Sequence, residues 1–383
     1  MRICRVTTVP FFLLHHLRGQ LEASVAAGHE VWAVCSAADG TGDAASIPGI
    51  RFQAIEIARR IAPLADLRAL YQLYELFRTQ RFDIVHSATP KAGLLTAIAG
   101  WLARVPVRLH SFTGQAWAEL SGPLRWVAQL ADRLIVKLNT CCYADSPSQR
   151  RFLIECGITG EHGVIVLGDG SLGGVDFAQF DPQRVRPLAR ARRAELGIPE
   201  GDPVIVFIGR VNRDKGIVEL VGACLTLLAR FPRLHLVLVG YFEPHLDPLP
   251  EDVLAAIRGT PAIHAVGYHP EPESFHGFAD LLCLPSYREG FPNVVIEAAA
   301  LEVPTVGTRI VGLVDTVVDG DTGVLVPPKD AAPLAAALER LLADADARAA
   351  MGKRARERAL RLFDARRIDR LLLEEYERLA RTA

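Results

Sequence analysis

Seven cysteines without a Cys-x-x-Cys pair, no apolar run of membrane-spanning length and almost no net charge set the first limits on this sequence. Cys4, Cys35, Cys141, Cys142, Cys156, Cys224 and Cys283 lie mostly in apolar strand or helix patterns. That suits buried free thiols in a reducing cytoplasm and offers no framework for disulfides or a structural metal. A spanning helix needs ~20 apolar residues, and the longest candidate, 93–103, is too short and contains Gly100. The N-terminus, Met1-Arg2-Ile3-Cys4-Arg5-Val6, reads as a strand and lacks the apolar core and cleavage site of a signal peptide. A formal net charge of -1 with 50% hydrophobic residues describes a soluble globular chain rather than a disordered one. There is no internal repeat, and no nucleic-acid partner is expected. Also missing is a Gly-x-Gly-x-x-Gly fingerprint: the loop after the first strand is Thr8-Val9-Pro10-Phe11-Phe12, so a hydride-transfer enzyme loses most of its support.

What is present is a long alternation of apolar strand-like runs and helical patterns, which predicts α/β architecture with parallel sheets and crossover helices. At 383 residues the chain has room for two doubly wound, Rossmann-like domains. Strands are expected at 2–7, 30–36, 50–57, 82–86, 107–110, 141–144 and 164–167, with the first helix over 13–27. Ser146 is placed to cap the helix that follows it. The glycine-dense run Gly168-Asp169-Gly170-Ser171-Leu172-Gly173-Gly174 marks a boundary. A second set of strands begins at 203–208. The expected layout is 1–170, a linker over 171–200, 201–363, and a terminal helical segment 364–383.

Two loops carry the chemistry. The first is Leu284-Pro285-Ser286-Tyr287-Arg288-Glu289-Gly290-Phe291-Pro292-Asn293-Val294-Val295-Ile296-Glu297, an apolar strand opening into a helix. Pro292 fits a first helical turn, so Gly290, Phe291, Pro292, Asn293 and Val294 frame a helix N-terminus suited to a phosphate. Glu289 and Glu297 flank it as acceptors for sugar hydroxyls. An ordinary strand-turn-helix with two solvated glutamates has the same spacing. The second loop, Gly209-Arg210-Val211-Asn212-Arg213-Asp214-Lys215-Gly216, sets two cations after a strand, where they can clamp a diphosphate; a solvated charged turn would look alike. In the first half, His86 and His110 are expected near strand C-terminal ends, with Lys91 close by, at crevice positions. A lone histidine there is more often a structural hydrogen-bonder. Asp319-Gly320-Asp321 reads as a turn rather than a metal site.

Together these stretches resemble the retaining, family-four glycosyltransferases of the GT-B fold. Glu289 and Glu297 hold the ends of the family's Glu, seven residues, Glu motif, with Gly-Phe-Pro after the first. Thr-Pro-Lys-Ala-Gly at 89–93 and His-Ser-Phe-Thr-Gly at 110–114 resemble motifs of bacterial enzymes that build polysaccharides and lipid-linked oligosaccharides. Val9-Pro10 stands where relatives often carry Gly-Gly, and Gly173 where they carry asparagine. The resemblance implies two domains facing each other across a cleft, the first binding acceptor and the second nucleotide sugar, with the terminal helix packed back on the first. It implies that Glu289 contacts the transferred sugar, Glu297 the ribose, and His110 the sugar from the acceptor side. Arg210 and Lys215, with Gly209 beside them, would hold the diphosphate, and Tyr268 would lie at the base. His16, His86 and Lys91 are acceptor candidates. No cofactor and no metal are implied. The donor would be a nucleotide diphosphate sugar, with uridine the commonest base, and the acceptor a polyprenyl-diphosphate-linked or growing glycan. Residues 51–151 hold 14 Lys or Arg against 7 Asp or Glu, which fits peripheral contact with the anionic inner membrane face as well as a plain solvated surface. Two other functions share such folds: a nucleotide-sugar isomerase, and a non-enzymatic sugar-binding protein of a usually exported class.

Overall fold

Buried aliphatic runs separated by helices form parallel strands, because a crossover helix returns the chain to the same edge of the sheet each time. The computed structural model describes residues 1–37, 47–58, 60, 62–244 and 247–383. Two units result: Met1–Gly173 with Ala365–Ala383, and Gly174–Asp364.

The first unit is built on seven parallel strands: β1 (Arg2–Val6), β2 (Glu30–Cys35), β3 (Ile50–Ala54), β4 (Ile84–Ala88), β5 (Val107–Phe112), β6 (Cys141–Ala144) and β7 (Ile165–Val166). Their order is β3-β2-β1-β4-β5-β6-β7. The order reverses between β1 and β4, and the loops leaving those two strands bound the ligand-binding position of such a sheet. Every residue of β4 is buried, as helices on both faces of a parallel sheet require. The terminal helix Ala365–Thr382 buries Ile368, Leu372 and Tyr376, one face at four-residue spacing. Leu372 and Tyr376 join the core of Ile3, Ile84 and Leu109.

Several expected boundaries shift. The expected first loop is already helical from Pro10, and the helix breaks at Leu17 into Pro10–His16 and Arg18–Ala26. Proline with its fixed φ is well suited to a first helical turn, so Phe11 and Phe12 are helical rather than loop. Strands β4 and β5 both run two residues past their expected ends, which takes His86 and His110 away from the strand termini and into the sheet. Ser146 does cap its helix, its Oγ accepting from Gln149 N at 3.1 Å.

The second unit has six parallel strands: β8 (Val204–Ile208), β9 (His235–Val239), β10 (Ile263–Gly267), β11 (Leu281–Leu284), β12 (Thr305–Thr308) and β13 (Gly323–Val326). Their order is β10-β9-β8-β11-β12-β13, so here the reversal falls between β8 and β11. The stretch 171–200 is not a linker throughout. Its first three residues close the first unit, and its helix Pro182–Glu195 belongs to the second. Arg184 on that helix pairs with buried Glu273 at 3.2 Å, and a side chain at Gly277 would press into Val185. Tertiary packing, invisible in an arginine-rich helix read alone, draws it into the domain.

Candidate active site

Strand β8 ends at Gly209, and the chain then turns through Arg210 and Asn212 into a single 3-10 turn, Arg213–Lys215. Asn212 Oδ1 accepts from Lys215 N at 3.2 Å and so shapes the turn. Gly216 closes it at φ +71, where a Cβ would collide with the Pro285 carbonyl oxygen. Only glycine meets both demands, the left-handed backbone and the close approach. The contact brings the loop after β8 against the loop after β11. Tyr287 N donates to Asp214 O at 2.9 Å, and Arg288 closes on the Asp214 carboxylate at 2.8 Å. Lys215 Nζ then lies 2.5 Å from Glu289 Oε1, with both side chains largely shielded.

The second cation is also paired. Arg210 reaches Glu243 Oε2 at 2.6 Å, and Asn212 Nδ2 donates to the same oxygen at 2.9 Å. Glu243 was no candidate in the sequence. The helix Asn293–Ala300 starts at Asn293 as expected, and Pro292, the residue before it, is extended at ψ 101 rather than part of the first turn. The first turn is tightened by Val295 N donating to Pro292 O at 3.1 Å. Phe291 is buried, its ring 5.1 Å from that of Phe363, so the side chain anchors the helix and only the backbone remains for a ligand. Gly312, at φ +83, packs against the Gly290 carbonyl and fixes that backbone from the far side. Glu297, one turn in, has Oε2 3.8 Å from His276 Nε2. His276 is fully buried, and neither ring nitrogen has a hydrogen-bond partner among the described residues. It too was missed, because only the fold brings the helix Glu273–His276 beside Glu297. Tyr268, after β10, stacks on Tyr241, after β9, with ring centroids 4.9 Å apart and planes within 4°. Gly209, Arg210, Lys215, Tyr268, Glu289 and Gly290 thus gather at the C-terminal ends of β8, β10 and β11, around the strand-order reversal.

The first unit treats its candidates differently. His86 is a correction. It is buried, its Nδ1 lies 2.9 Å from Arg5 Nη1 and 2.7 Å from the Tyr376 hydroxyl, and its Nε2 lies 2.9 Å from Ser111 Oγ. Both ring nitrogens are engaged within the unit, so the ring is not at a crevice position. Arg5 can only donate, so Nδ1 is the acceptor and the proton sits on Nε2. Burial, then the charge of Arg5, hold the His86 pKa well below the ordinary value. His110 is likewise buried, its Nδ1 3.0 Å from Ser87 Oγ and its ring filling the space beside Gly93; burial pushes it down to about 3. Lys91 is held by Asp66 at 2.8 Å. His16 is half-buried against Phe12, ring centroids 4.9 Å apart, and its carbonyl would clash with any side chain at Gly173, the position where glycine replaces asparagine. At the reversal between β1 and β4, Thr8 Oγ1 and Thr89 Oγ1 are 2.7 Å apart, with Thr89 at φ +73, a strained conformation for a β-branched residue. Asp319 and Asp321, read as a turn, pair with Arg309 at 2.5 Å and Arg354 at 2.6 Å.

Residues 189–358 match the family model described as "Glycosyl transferases group 1", and residues 15–168 the model described as "Glycosyl transferase 4-like domain". The chain is 30% identical over 328 residues to the capsular polysaccharide biosynthesis glycosyltransferase CapM of Staphylococcus aureus, covering 86% of this chain and 84% of that one. It is 31% identical over 293 residues to a D-inositol 3-phosphate glycosyltransferase of Corynebacterium aurimucosum, covering 73% and 68%. Among solved structures, sucrose-phosphate synthase from Thermosynechococcus elongatus superposes with a TM-score of 0.80 at 23% identity over 100% of both chains. Anabaena HepE, solved with UDP and glucose, gives a TM-score of 0.78 at 20% identity over 98% of this chain and 99% of that one. The architecture, two Rossmann-like α/β units, is that of the GT-B fold.

Proposed function

The chain belongs to the group 1 glycosyl transferases, and from that premise we propose that it is a retaining enzyme moving a sugar from a uridine diphosphate sugar to a hydroxyl of a lipid-linked or growing cell-surface glycan. The observation that carries the reading is the convergence of Arg210, Lys215 and the start of the helix Asn293–Ala300 around the strand-order reversal of the second unit. Two cations and a helix N-terminus are suited to a pyrophosphate. Uridine is favoured by the ligand of Anabaena HepE, and a glycan acceptor by the relationship to CapM.

In this reading the anomeric carbon–oxygen bond breaks towards the diphosphate, and negative charge grows on the leaving oxygen. Arg210 and Lys215 leave Glu243 and Glu289 to meet that charge, and the helix terminus adds its dipole. Glu289, released from Lys215, accepts from the hydroxyls of the transferred sugar, and Glu297 from the ribose. The acceptor oxygen bonds the anomeric carbon on the face the leaving group departs from, and its proton passes to a phosphate oxygen. His110 lines the acceptor side, with His16 and Lys91 as further contacts. Charge neutralisation is supplied by side chains, so a chelator should leave the rate unchanged. The protein would work as a peripheral enzyme at the inner face of the cytoplasmic membrane; no helix among the described residues is long and apolar enough to cross one.

A screen of nucleotide sugars by thermal shift, followed by transfer assays on lipid-linked acceptors, tests the proposal. Lys215→Ala and Glu289→Ala should each lower transfer by roughly 10² to 10³ or more with circular dichroism unchanged. Full activity in either variant would remove that residue from the mechanism.

A further inference from the structure

The helix Gly122–Leu138 in the first unit is apolar on two sides: Ile135, Ala128 and Val136 pack on the core, and a second apolar set faces out. A surface helix of a soluble protein directs its charges outward and its apolar stripe to the core. Here Asp132 faces inward, buried, and accepts from Trp117 Nε1 at 2.7 Å. On the opposite side of the helical wheel Trp126, Val127 and Leu130 face out, Trp126 with 60% of its surface exposed. Lys137 lies on that outward side, and Arg133, at its flank, donates Nε to the Gly157 carbonyl at 2.9 Å.

The neighbouring helices extend the pattern. Pro90–Leu102 packs beside this helix and ends on exposed Trp101 and Leu102. Pro63–Gln80 packs on Pro90–Leu102. Its buried face is Ala69, Leu73 and Phe77, and its opposite face presents Leu64, Leu67 and Tyr71, with Leu64 87% exposed. The three helices carry six Lys or Arg against three Asp or Glu. Of those acids Asp132 is buried and Asp66 is held by Lys91.

We propose that this three-helix layer is the face on which the protein rests on an anionic lipid bilayer, with Trp126, Val127 and Leu130 entering the headgroup region and Lys137 on lipid phosphates. Outward tryptophan and leucine with flanking basic residues are what an interfacial helix requires. Charge selects lipid over a second copy of the chain: a second copy would bring the same positive face, whereas an anionic bilayer brings the opposite sign. The inference gives the peripheral reading above its surface, and it rests on the first unit alone, independent of donor chemistry.

The test is co-sedimentation of the full chain with vesicles of phosphatidylcholine alone and of an equimolar mixture with phosphatidylglycerol. Binding to the mixture and little to phosphatidylcholine alone is expected. The double variant Trp126→Ser, Leu130→Ser should weaken binding about tenfold or more, and Lys137→Gln about fivefold. Both should keep the wild-type melting temperature and the wild-type thermal shift with UDP, which separates loss of the membrane face from failure of the donor reading. Three results would overturn the proposal: no binding to either vesicle, equal binding by the double variant, or a dimer in sedimentation velocity that the double variant abolishes while vesicle binding persists.

Discussion

Lys215 and Glu289 are the residues on which the proposed chemistry turns, and their 2.5 Å pair joins side chains 74 positions apart in sequence. The motif glutamates and the loop cations were legible because local spacing carries them. Their partners were not: Glu243 is 33 positions from Arg210, and His276 meets Glu297 only after two helices pack. His86 shows the opposite case, where the residue type suggested a site and burial with both ring nitrogens engaged gave it a structural setting. With His110 held down to about 3 and His86 also lowered, the native state binds fewer protons than the unfolded chain, whose histidines titrate near ~6.5. Their stabilising effect is therefore complete above that pH and is lost as pH falls towards the folded values, at up to ~1.4 kcal/mol per pH unit for each histidine. Urea midpoints measured across this range should fall with acid, and His110→Gln should flatten the slope. An unchanged slope would mean that His110 is not held neutral by burial.

At the scale of elements, the alternation of strand and helix was readable throughout because aliphatic runs bury themselves whatever follows. The ends were less so. Strands β4 and β5 continue past their histidines because hydrogen-bonding to neighbouring strands, not side-chain type, decides where a ladder stops. Residue 216 makes two demands at once. Gly216→Ala combines φ +71 with a collision against the Pro285 carbonyl, so its cost should exceed the ~1 kcal/mol of left-handed strain alone. Separation of the two loops would also part Lys215 from Glu289. A lowered melting temperature together with reduced transfer is expected. Wild-type activity would show that the loops need not touch.

On the scale of the whole molecule, the chain leaves the first unit at Gly173 and returns at Ala365. Val175 N donates to Phe363 O at 2.8 Å, so the two crossings run side by side in the second unit. The terminal helix contributes Tyr376, whose hydroxyl lies 2.5 Å from Arg5 and 2.7 Å from His86. Removing residues 365–383 takes three buried side chains from the first unit, each worth ~1.5 to 3 kcal/mol. That total rivals the ~5 to 15 kcal/mol by which a domain is stable. Calorimetry of the truncated chain should lose the transition of the first unit and keep that of the second; Tyr376→Phe should lower only the former, by ~1 to 3 kcal/mol. The two-unit α/β plan could be read from composition and alternation, whereas the position of 174–200 within the second unit could not, since only packing against Glu273 and Gly277 reveals it.

The central claim is that the second unit holds a pyrophosphate at the reversal between β8 and β11. A crystal structure of the protein with uridine diphosphate tests it most directly. The account predicts phosphate oxygens bonded to Arg210 and Lys215 near Gly290, with the Lys215–Glu289 and Arg210–Glu243 pairs opened. A nucleotide bound elsewhere, with both pairs intact, would contradict it.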